Sequence, residues 1–294
     1  MDLKQIDYFI HVAELGSFSR AAVVLGIAQP ALSRQVRALE AELREVLLLR
    51  NGRGVQLTDA GRRLLEHGHA ILQLVAAARH DLGARRDEPV GQIAVGFPPS
   101  LARRLTLPLI DTFRAELPNA RVAIIEGFSV HVAEWLCSGR VDLGLIYNPE
   151  PHPAIEITPV LVERLCLAGI RFPDGQSSIA LKDLPGYPLV MPQREHVFRK
   201  LMESRAALAG VKLNVAWEVS SVPAILDMVR SGHGYGALTQ TAMRGDAKAD
   251  RLRLVPITDP EIESTLCLAQ SSQKRGSPLL KRTSALLMKL ARSL

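Results

Sequence analysis

Residues 17–43 of the chain read SFSRAAVVLGIAQPALSRQVRALEAEL, and residues 50–58 read RNGRGVQLT. Two short helical patterns are separated by Gly26 and Ile27, and a loop with one arginine between two glycines follows. In the second pattern, apolar residues recur at steps of three to five, which predicts a helix with one buried stripe. A short helix, a tight turn and a second helix with a buried back are typical of a helix-turn-helix. The stripe consists of Ile27, Leu32, Val36, Leu39 and Leu43.

The front of the second helix carries side chains of the kinds that bind DNA. Gln29, Pro30, Ser33 and Arg34 are predicted to contact base edges, and Arg37 is predicted to contact a phosphate. Pro30 is tolerated in the first helical turn, because its missing N–H would have no intrahelical partner there. The sequence therefore predicts that this helix reads the major groove.

The loop after this helix carries a further candidate, Arg53. Residues 50–57 are predicted to form a hairpin wing, with this arginine between two glycines. A slim loop that presents one guanidinium suits a narrow minor groove. An ordinary exposed turn is the alternative, and the position in a wing favours DNA contact.

These residues resemble the DNA-binding domain of LysR-type transcriptional regulators, over about sixty residues. Three positions depart from the family pattern. Ala28 stands where the family often has a Ser or Thr cap, so a bond worth about 1 kcal/mol is absent. Arg44 and Leu48 replace the Gly and Phe that usually follow the recognition helix. The matching motifs are Ser17-Phe-Ser-x-Ala-Ala, Gln29-Pro-Ala-Leu-Ser-Arg-Gln-Val, Leu39-Glu and Gly52-Arg-Gly-Val-x-Leu-Thr-x-Ala-Gly61.

The resemblance implies how such a protein works. It is expected to bind double-stranded promoter DNA as a homodimer or homotetramer and to bend the site. A small-molecule effector would change the subunit arrangement and let RNA polymerase engage. Whether the protein is an activator or repressor, and which effector it binds if any, stay open.

A long helix is predicted from the cap at Thr58 to about residue 87. Its apolar positions follow heptad spacing and form a narrow seam that suits a partner helix. Because a recognition helix usually needs a second copy one DNA turn away, we expect dimerisation here. Packing against the protein's own next domain is the alternative. The dimerisation candidates are Leu64, Ile71, Val75 and Leu82.

From residue 91 the pattern changes to alternating strands and helices, with early strands predicted at Gln92–Phe97, Arg121–Glu126 and Val141–Tyr147. Alternation of this kind indicates a mainly parallel sheet with helices on both faces. The segment resembles the LysR-family effector domain, which has the two-lobed α/β fold of periplasmic binding proteins. The sequence from Gly96 to Pro149 resembles the nitrogen-assimilation-control-like subset of the family.

The predicted fold class is thus multidomain α+β. The tetrapeptide Leu-Cys-Leu-Ala, which occurs at 165–168 and again at 266–269, falls where the strands that join the two lobes belong. The expected domains are a winged helix-turn-helix at 1–58, a dimerising linker helix at 59–88, effector lobe I at 89–161 and 268–294, and effector lobe II at 162–267.

Ligands of α/β sheets bind at the carboxyl ends of strands, beside helix N-termini. Three predicted junctions of this kind place Ser100, Ser129 and Ser221 at helix starts, the last beside Val222. Each serine could simply cap its helix, but three converging on one cleft favour an anion site. The family resemblance implies that the effector contacts Ser100, Ser129, Tyr147, Pro192 and Gln193.

The residue at position 147 bears on the charge of the effector. Some family members that bind dicarboxylates have an arginine where this chain has Tyr147. The resemblance therefore implies a neutral or singly charged effector.

Composition limits the other possibilities. The 294 residues are 47% hydrophobic and carry a net charge of +6, which suits a folded protein of several domains with a nucleic-acid partner. No signal pattern and no apolar run long enough for a membrane span occur, so a cytoplasmic protein without a membrane partner is expected. Three cysteines are expected to be reduced thiols.

Enzymatic motifs are missing from the sequence. Residues 127–131 lack the final glycine of a nucleophile elbow, and no phosphate-binding loop or zinc-binding His-Glu-x-x-His motif occurs. We therefore expect no enzyme activity, no cofactor and no metal. The alternative is a small-molecule-binding or enzymatic α/β protein whose N-terminal domain only mediates assembly.

Overall fold

A computed structural model of the chain describes residues 1–51, 54–83, 89–244, 252–272 and 277–294. The chain divides into two compact units, of which one contains residues 1–83 and the other contains most of residues 89–294. In the described part of the chain, no helix is long and apolar enough to cross a bilayer.

The N-terminal unit is a helix-turn-helix followed by a two-stranded wing and a long helix. Its core is formed by buried side chains from the first three helices, including Phe9, Leu32 and Leu39. The elements are α1 (Leu3–Leu15), α2 (Phe18–Leu25), α3 (Gln29–Leu43), β1 (Leu48–Asn51), β2 (Gly54–Leu57) and α4 (Asp59–Gly83).

Side-chain caps fix the starts of the first two helices. The Asp2 carboxylate accepts a hydrogen bond from the Gln5 N–H at 2.8 Å, and the Gln5 side chain accepts one from the Asp2 N–H at 3.0 Å. The Ser17 hydroxyl accepts a hydrogen bond from the Arg20 N–H at 3.3 Å. A cap of this type stabilises its helix by about 1 kcal/mol. As expected from Ala28, α3 has no side-chain cap.

Arg44 and Leu48, which depart from the family pattern, lie in the segment that follows α3. Arg44 ends the helix in the left-handed conformation, with φ 54°. The Glu40 carboxylate accepts hydrogen bonds from the N–H groups of Leu47 and Leu48, at 2.9 and 3.1 Å. Leu48 is buried in the core. Glu40 therefore fixes the start of the wing against the recognition helix.

The wing itself is held by glycine. Strands β1 and β2 are antiparallel, and the Val55 N–H donates to the Gly16 carbonyl at 3.0 Å. A Cβ atom at Gly54 would lie 2.8 Å from the same carbonyl oxygen, so only glycine allows this approach. The wing is thereby attached to the turn between α1 and α2.

The C-terminal unit is a mixed α/β domain. Its first half alternates strands and helices as predicted, and its second half adds four short elements that the sequence did not indicate, at residues 179–180, 181–186, 240–244 and 253–258. The elements are β3 (Gly91–Phe97), α5 (Pro99–Glu116), β4 (Ala120–Glu126), α6 (Ser129–Ser138), β5 (Leu143–Tyr147), β6 (Ile155–Gly169), β7 (Ile179–Ala180), a 3₁₀ helix (Leu181–Gly186), β8 (Leu189–Met191), α7 (Val197–Leu208), β9 (Val215–Glu218), α8 (Val222–Arg230), β10 (Tyr235–Thr239), α9 (Gln240–Arg244), β11 (Arg253–Thr258), β12 (Glu263–Ser271) and α10 (Pro278–Ala291).

The strands of this unit pair in the order β4-β3-β5-β12-β6-β10-β8-β9. Outside this order, β11 pairs with β6 and also with β7. Strands β3, β4 and β5 are parallel, as are β8, β9 and β10. We refer to β3–β5 with α5, α6 and α10 as the first lobe, and to β7–β11 with α7–α9 as the second lobe.

Two antiparallel strands, β6 and β12, join the lobes. Strand β12 pairs with β5 of the first lobe through residues 266–270, and β6 pairs with β10 and β11 of the second lobe through residues 165–169. Both Leu-Cys-Leu-Ala segments lie on these connecting strands. Strand β6 begins at Ile155, earlier than the sequence pattern had indicated, because its first residues pair with β12.

Candidate DNA-binding surface and interlobe cleft

The front of α3 is exposed and carries two arginines. Pro30, Arg34 and Arg37 follow a spacing of four and three residues on one helix face, and all three are exposed. Neither arginine forms a hydrogen bond or ion pair with another described residue, so both guanidinium groups are available to DNA. Gln29 lies half-buried beside them. We refer to these four residues as the recognition surface.

Ser33 differs from its predicted environment. Its side chain is only 7% exposed, and it lies in the part of α3 that turns toward the other helices. Direct contact between this hydroxyl and a base edge is therefore disfavoured. The prediction was wrong about exposure because Ser33 lies beside Leu32 and next to the buried stripe in helical projection.

The predicted minor-groove residue, Arg53, lies outside the described residues. Its flanking strands are described, and β1 and β2 pair from Leu48 with Leu57 to Asn51 with Gly54. The hairpin predicted around this arginine is thus present on both sides of it.

The predicted dimerisation seam is partly used inside the chain. Leu64 and Ile71 pack against the N-terminal core, and a Cβ atom at Gly68 would lie 3.0 Å from Ile6 and 3.1 Å from Ile10. Leu64 and Ile71 are only half-buried by these contacts, so their role in dimerisation stays a prediction. Heptad spacing identifies one apolar stripe, but it does not distinguish a partner helix from the chain's own α1.

The second half of α4 carries the other two seam residues and one exposed leucine. Val75 is half-buried, and the side chain of Leu82 lies outside the described residues. Leu74, on the same helix, is 56% exposed. A hydrogen bond between His69 Nε2 and Glu14 Oε1, 3.2 Å apart, adds to the attachment of α4 to α1.

In the C-terminal unit, five of the predicted effector residues surround one cavity between the lobes. Ser100 and Ser129 begin helices that follow β3 and β4, and Tyr147 ends β5. Pro192 follows β8, and Val222 begins α8 after β9. All five therefore lie at the carboxyl ends of parallel strands, where sheets of this kind bind ligands. We refer to the cavity as the interlobe cleft; it is lined by Pro98, Pro99, Ser100, Ser129, Tyr147, Pro192, His196, Val197, Phe198, Val222, Ile225, Ala237, Leu238 and Ala242.

Two predicted effector residues do not line the cleft. Gln193 is exposed, and its carbonyl accepts a hydrogen bond from the His196 N–H at 3.0 Å. The Ser221 hydroxyl is 3.5 Å from the Ala224 N–H, so it caps α8, as the simpler alternative for this serine held. These two positions hold the loops around the cleft instead.

Tyr147 connects the two lobes through a buried hydrogen-bond chain. Its hydroxyl donates to Glu163 Oε2 at 2.7 Å, and Glu163 Oε1 accepts from the Thr241 N–H at 3.0 Å. The tyrosine and the glutamate are 3% and 7% exposed. Burial and the neighbouring Glu163 carboxylate raise the pKa of Tyr147 well above its usual value. The hydroxyl therefore keeps its proton and acts as the donor.

Ser129 holds the other end of this tyrosine. Its hydroxyl oxygen accepts a hydrogen bond from the Tyr147 N–H at 3.1 Å. The end of β5 is thereby fixed to the start of α6, which sets the direction of the tyrosine ring.

Aromatic rings close the cleft from both lobes. The Tyr147 and Phe198 ring centroids are 4.9 Å apart, and those of Phe128 and His196 are 5.1 Å apart, both with edge-to-face geometry. Such pairs add about 0.5–1.5 kcal/mol beyond their buried area. They hold the first lobe against the second.

His196 is uncharged in this setting. Its Nδ1 accepts a hydrogen bond from the Phe198 N–H at 3.2 Å, which leaves the proton on Nε2. Burial lowers the pKa of His196 from 6.5 to about 4. No Lys, Arg, Asp or Glu is among the residues that line the cleft. The cleft therefore offers neutral hydrogen-bonding groups on an apolar surface.

One buried charge beside the loop at Pro192 is already paired. Arg199 is 4% exposed; it donates to the Pro192 carbonyl at 3.2 Å and to Glu203 at 2.7 Å. Its guanidinium holds this loop in place and is not presented to a ligand.

Other chemistry finds little support in the described residues. They contain no cluster of three or more side chains suited to a metal ion. None of the three cysteines forms a disulfide bond, and burial raises the pKa of each thiol. A raised pKa disfavours the reactive thiolate.

Sequence reasoning missed Glu163, His196, Phe198 and Thr241. Glu163 lies in a strand that reads as apolar, and its partners are 16 and 78 residues away in the sequence. No local spacing could have connected them. A single acidic residue within an apolar strand was the one signal available.

Two family models match the chain. Residues 3–62 match the bacterial regulatory helix-turn-helix protein of the lysR family, and residues 86–292 match the LysR substrate binding domain. The nitrogen assimilation regulatory protein nac of Klebsiella aerogenes is 31% identical over 291 residues, which cover 99% of this chain and 95% of that protein. The nac protein of Escherichia coli K12 is 31% identical over 297 residues, covering 100% and 96%.

Solved structures of full-length proteins have a similar fold. A variant of OxyR from Pseudomonas aeruginosa gives a TM-score of 0.74 at 24% identity and covers 99% of this chain and 95% of that one. CbnR in complex with its target DNA gives a TM-score of 0.56 at 27% identity, with 99% and 100% covered. Full-length BenM gives 0.57 at 28% identity, with 98% and 96% covered.

Proposed function

Because the chain belongs to the LysR family of transcriptional regulators, we propose that its recognition surface reads promoter DNA and that its interlobe cleft binds the effector. The exposed front of α3 carries the first part of this proposal. Two guanidinium groups without partners among the described residues stand on a helix whose back is buried in the core. Groups of this kind bind guanine edges and phosphates.

The proposed roles follow from position on the helix. Gln29, Pro30 and Arg34, in the first turns, contact base edges, and Arg37, one turn further along, contacts a phosphate. Arg53 in the wing is proposed for the minor groove. Ser33 is kept out of this set because of its burial.

The domain assignment stays part of the proposal. We assign DNA binding to residues 1–58, assembly to 59–88, and effector binding to two lobes at 89–161 with 268–294 and at 162–267. A regulator of this type acts on the chromosome and on RNA polymerase, which places it in the cytoplasm. The relatives are regulators, so the alternative of an enzymatic α/β protein with an assembly domain is not favoured.

The experiment is a gel shift with a duplex selected in vitro by the wild-type chain. Arg34→Ala is expected to weaken specific binding by about 1–3 kcal/mol, which is the contribution of a good base contact. Arg121→Ala, an exposed arginine on β4, is the matched control and should leave affinity unchanged. Equal affinity of the two variants would show that α3 is not the reading element.

A second copy of the chain is proposed to pair through the less covered part of α4, where Leu74 is exposed and Val75 is half-buried. Two copies place two recognition helices on successive turns of DNA. Whether two dimers then form a homotetramer is a further step of the same proposal.

Leu74→Asp tests this pairing without disturbing the core. Sedimentation should show at least a tenfold weaker self-association, since a charge would be placed in an apolar contact. Glu66→Gln, an exposed position on the same helix, is the control. An oligomer that survives Leu74→Asp would exclude this part of α4 as the interface.

A further inference from the structure

The interlobe cleft has almost no free space. Its volume is about 20 Å³, and a cavity needs at least about 10–15 Å³ to hold one water molecule. The enclosed part of the cleft therefore has room for about one water molecule and for no larger ligand. A ligand must therefore displace a protein group or move the lobes apart.

Tyr147 is the largest side chain that the first lobe contributes to the cleft lining. Its ring packs against Phe198 of the second lobe, and its hydroxyl reaches Glu163 on the connecting strand β6. One side chain thus fills the space, contacts both lobes and satisfies a buried carboxylate. These are the contacts that a bound effector would be expected to make.

We propose that Tyr147 is a built-in occupant of the effector site, and that the effector is a small apolar molecule with a hydroxyl or amino group that replaces the Tyr147 hydroxyl on Glu163. This inference rests on the proposed effector role of the cleft. It names the class of ligand and the protein contact that the ligand exchanges.

Glu163, which accepts the hydrogen bond of the Tyr147 hydroxyl, requires a ligand that can donate one in its place. When the ring leaves, the Glu163 oxygen loses its hydrogen bond in a buried place, and an unpaired buried charge is strongly unfavourable. A ligand that donates a hydrogen bond restores the pairing. A carboxylate ligand cannot donate, and it would place a second negative charge beside the first.

The other groups of the cleft agree with this class. Pro98, Pro192 and Val222 supply apolar walls, and the neutral His196 supplies no positive charge. Arg104, whose charge also reaches Tyr147, lies 3.4 Å from the Leu294 main-chain oxygen, to which it donates. An anionic ligand would find no cation among the lining residues.

The test uses the full-length Tyr147→Ala protein and p-cresol, which carries the phenol group that the substitution removes. Toluene has the same ring without a donor, and p-methylbenzoate has a carboxylate in its place. Thermal shift should show that p-cresol stabilises Tyr147→Ala at a concentration at least tenfold lower than either analogue. The wild-type protein should respond only at a higher concentration than Tyr147→Ala, because p-cresol must first displace the Tyr147 ring.

A second measurement separates an occupant from an ordinary buried tyrosine. On the selected duplex, Tyr147→Ala should change the footprint, and p-cresol should restore the wild-type footprint. Tyr235→Ala is the control, because the Tyr235 hydroxyl donates to the Arg171 carbonyl at 2.8 Å and its ring lies outside the cleft lining. Its footprint should not respond to p-cresol.

The outcomes are distinct. Equal stabilisation by p-cresol and toluene, or a footprint that ignores both Tyr147→Ala and p-cresol, would overturn the inference. If Tyr147→Ala does not fold, Tyr147→Leu is measured in the same way. The thermal measurement needs no DNA, so a failure of the wild-type chain to bind the duplex would refute the proposed function while p-cresol still decides the donor requirement.

Discussion

The recognition surface and the interlobe cleft hold charge in opposite ways. Arg34 and Arg37 are exposed and have no partner in the part of the chain that the structure describes, whereas Glu163 is buried and both of its oxygens accept hydrogen bonds. An exposed charge remains hydrated and therefore loses no solvation energy on folding. Its field acts over about 10 Å and is weakened by salt. A buried charge acts only on what touches it. The first arrangement suits a long polyanion, and the second suits selection among small molecules.

The largest effect is expected from Glu163→Ala, which removes the buried charge. The change leaves the Tyr147 hydroxyl and the Thr241 N–H without their acceptor in the core. At about 1–3 kcal/mol for each unsatisfied group, the free energy of unfolding should fall by about 2–6 kcal/mol. Urea denaturation of the C-terminal unit within the full chain measures it.

Glu261→Ala is the matched control for that change. Glu261 is an exposed residue whose carboxylate lies 3.1 Å from the exposed Arg164. Exposed ion pairs contribute about 0–1 kcal/mol. A loss at Glu163 as small as the loss at Glu261 would show that the buried carboxylate does not organise the cleft.

The second test uses pH on the cleft alone. Since burial lowers the pKa of His196 from 6.5 to about 4, the unfolded chain takes up a proton between these values and the folded chain does not. Stability should therefore fall as the pH drops below 6.5, by about 2 kcal/mol between pH 7 and pH 5, and stop falling below pH 4.

His196→Gln should remove that part of the pH dependence, and His233→Gln, at an exposed position, should retain it. Urea denaturation at each pH is the measurement. If the slope of stability against pH is the same in both variants, His196 is not buried in its neutral form.

The third test concerns the scaffold of the recognition surface. Ser17→Ala removes the cap of α2, and the N-terminal unit should lose about 1 kcal/mol of stability. Because the cap touches no DNA-facing residue, the salt dependence of DNA binding should not change. Thermal unfolding and gel shifts at several salt concentrations measure the two effects. A changed salt dependence would mean that Ser17 itself lies at the DNA.

The smallest expected effect is that of Arg37→Ala on salt dependence. Loss of one phosphate contact should reduce the slope of log affinity against log salt by about 0.9. Affinity for all sequences should fall together, since phosphates carry no sequence information. Arg121→Ala should keep the wild-type slope, and a slope unchanged by Arg37→Ala would remove this residue from the interface.

The same contrast explains what the sequence could predict. The recognition surface belongs to one continuous helix, so periodicity placed Arg34 and Arg37 correctly on its exposed side. Ser100, Ser129 and Tyr147 were also brought together, because the ends of parallel strands meet at one edge of a sheet. Each of these predictions needed only local order and a general rule of topology.

Glu163 and the seam of α4 show where such reasoning ends. The partners of Glu163 are set by how β6 crosses from one lobe to the other, which no local pattern records. The apolar stripe of α4 was recognised, but Gly68 lets α1 approach it, and that choice depends on tertiary packing. Burial by the chain itself and burial by a partner leave the same pattern of residues.

One consequence follows from the start of α4. The Thr58 hydroxyl caps this helix by accepting a hydrogen bond from the Gly61 N–H at 2.9 Å. The same hydroxyl donates to the carbonyl of Val46, which lies between α3 and β1. A Cβ atom at Gly61 would lie 2.2 Å from the Leu47 carbonyl oxygen, so the contact admits no side chain. The 25 residues of α4 span about 37 Å. Because its first turn is fixed to the residues that follow α3, α4 is expected to move with the helix-turn-helix as a rigid body. A rotation of α4 by a few degrees would then turn the recognition surface by the same angle.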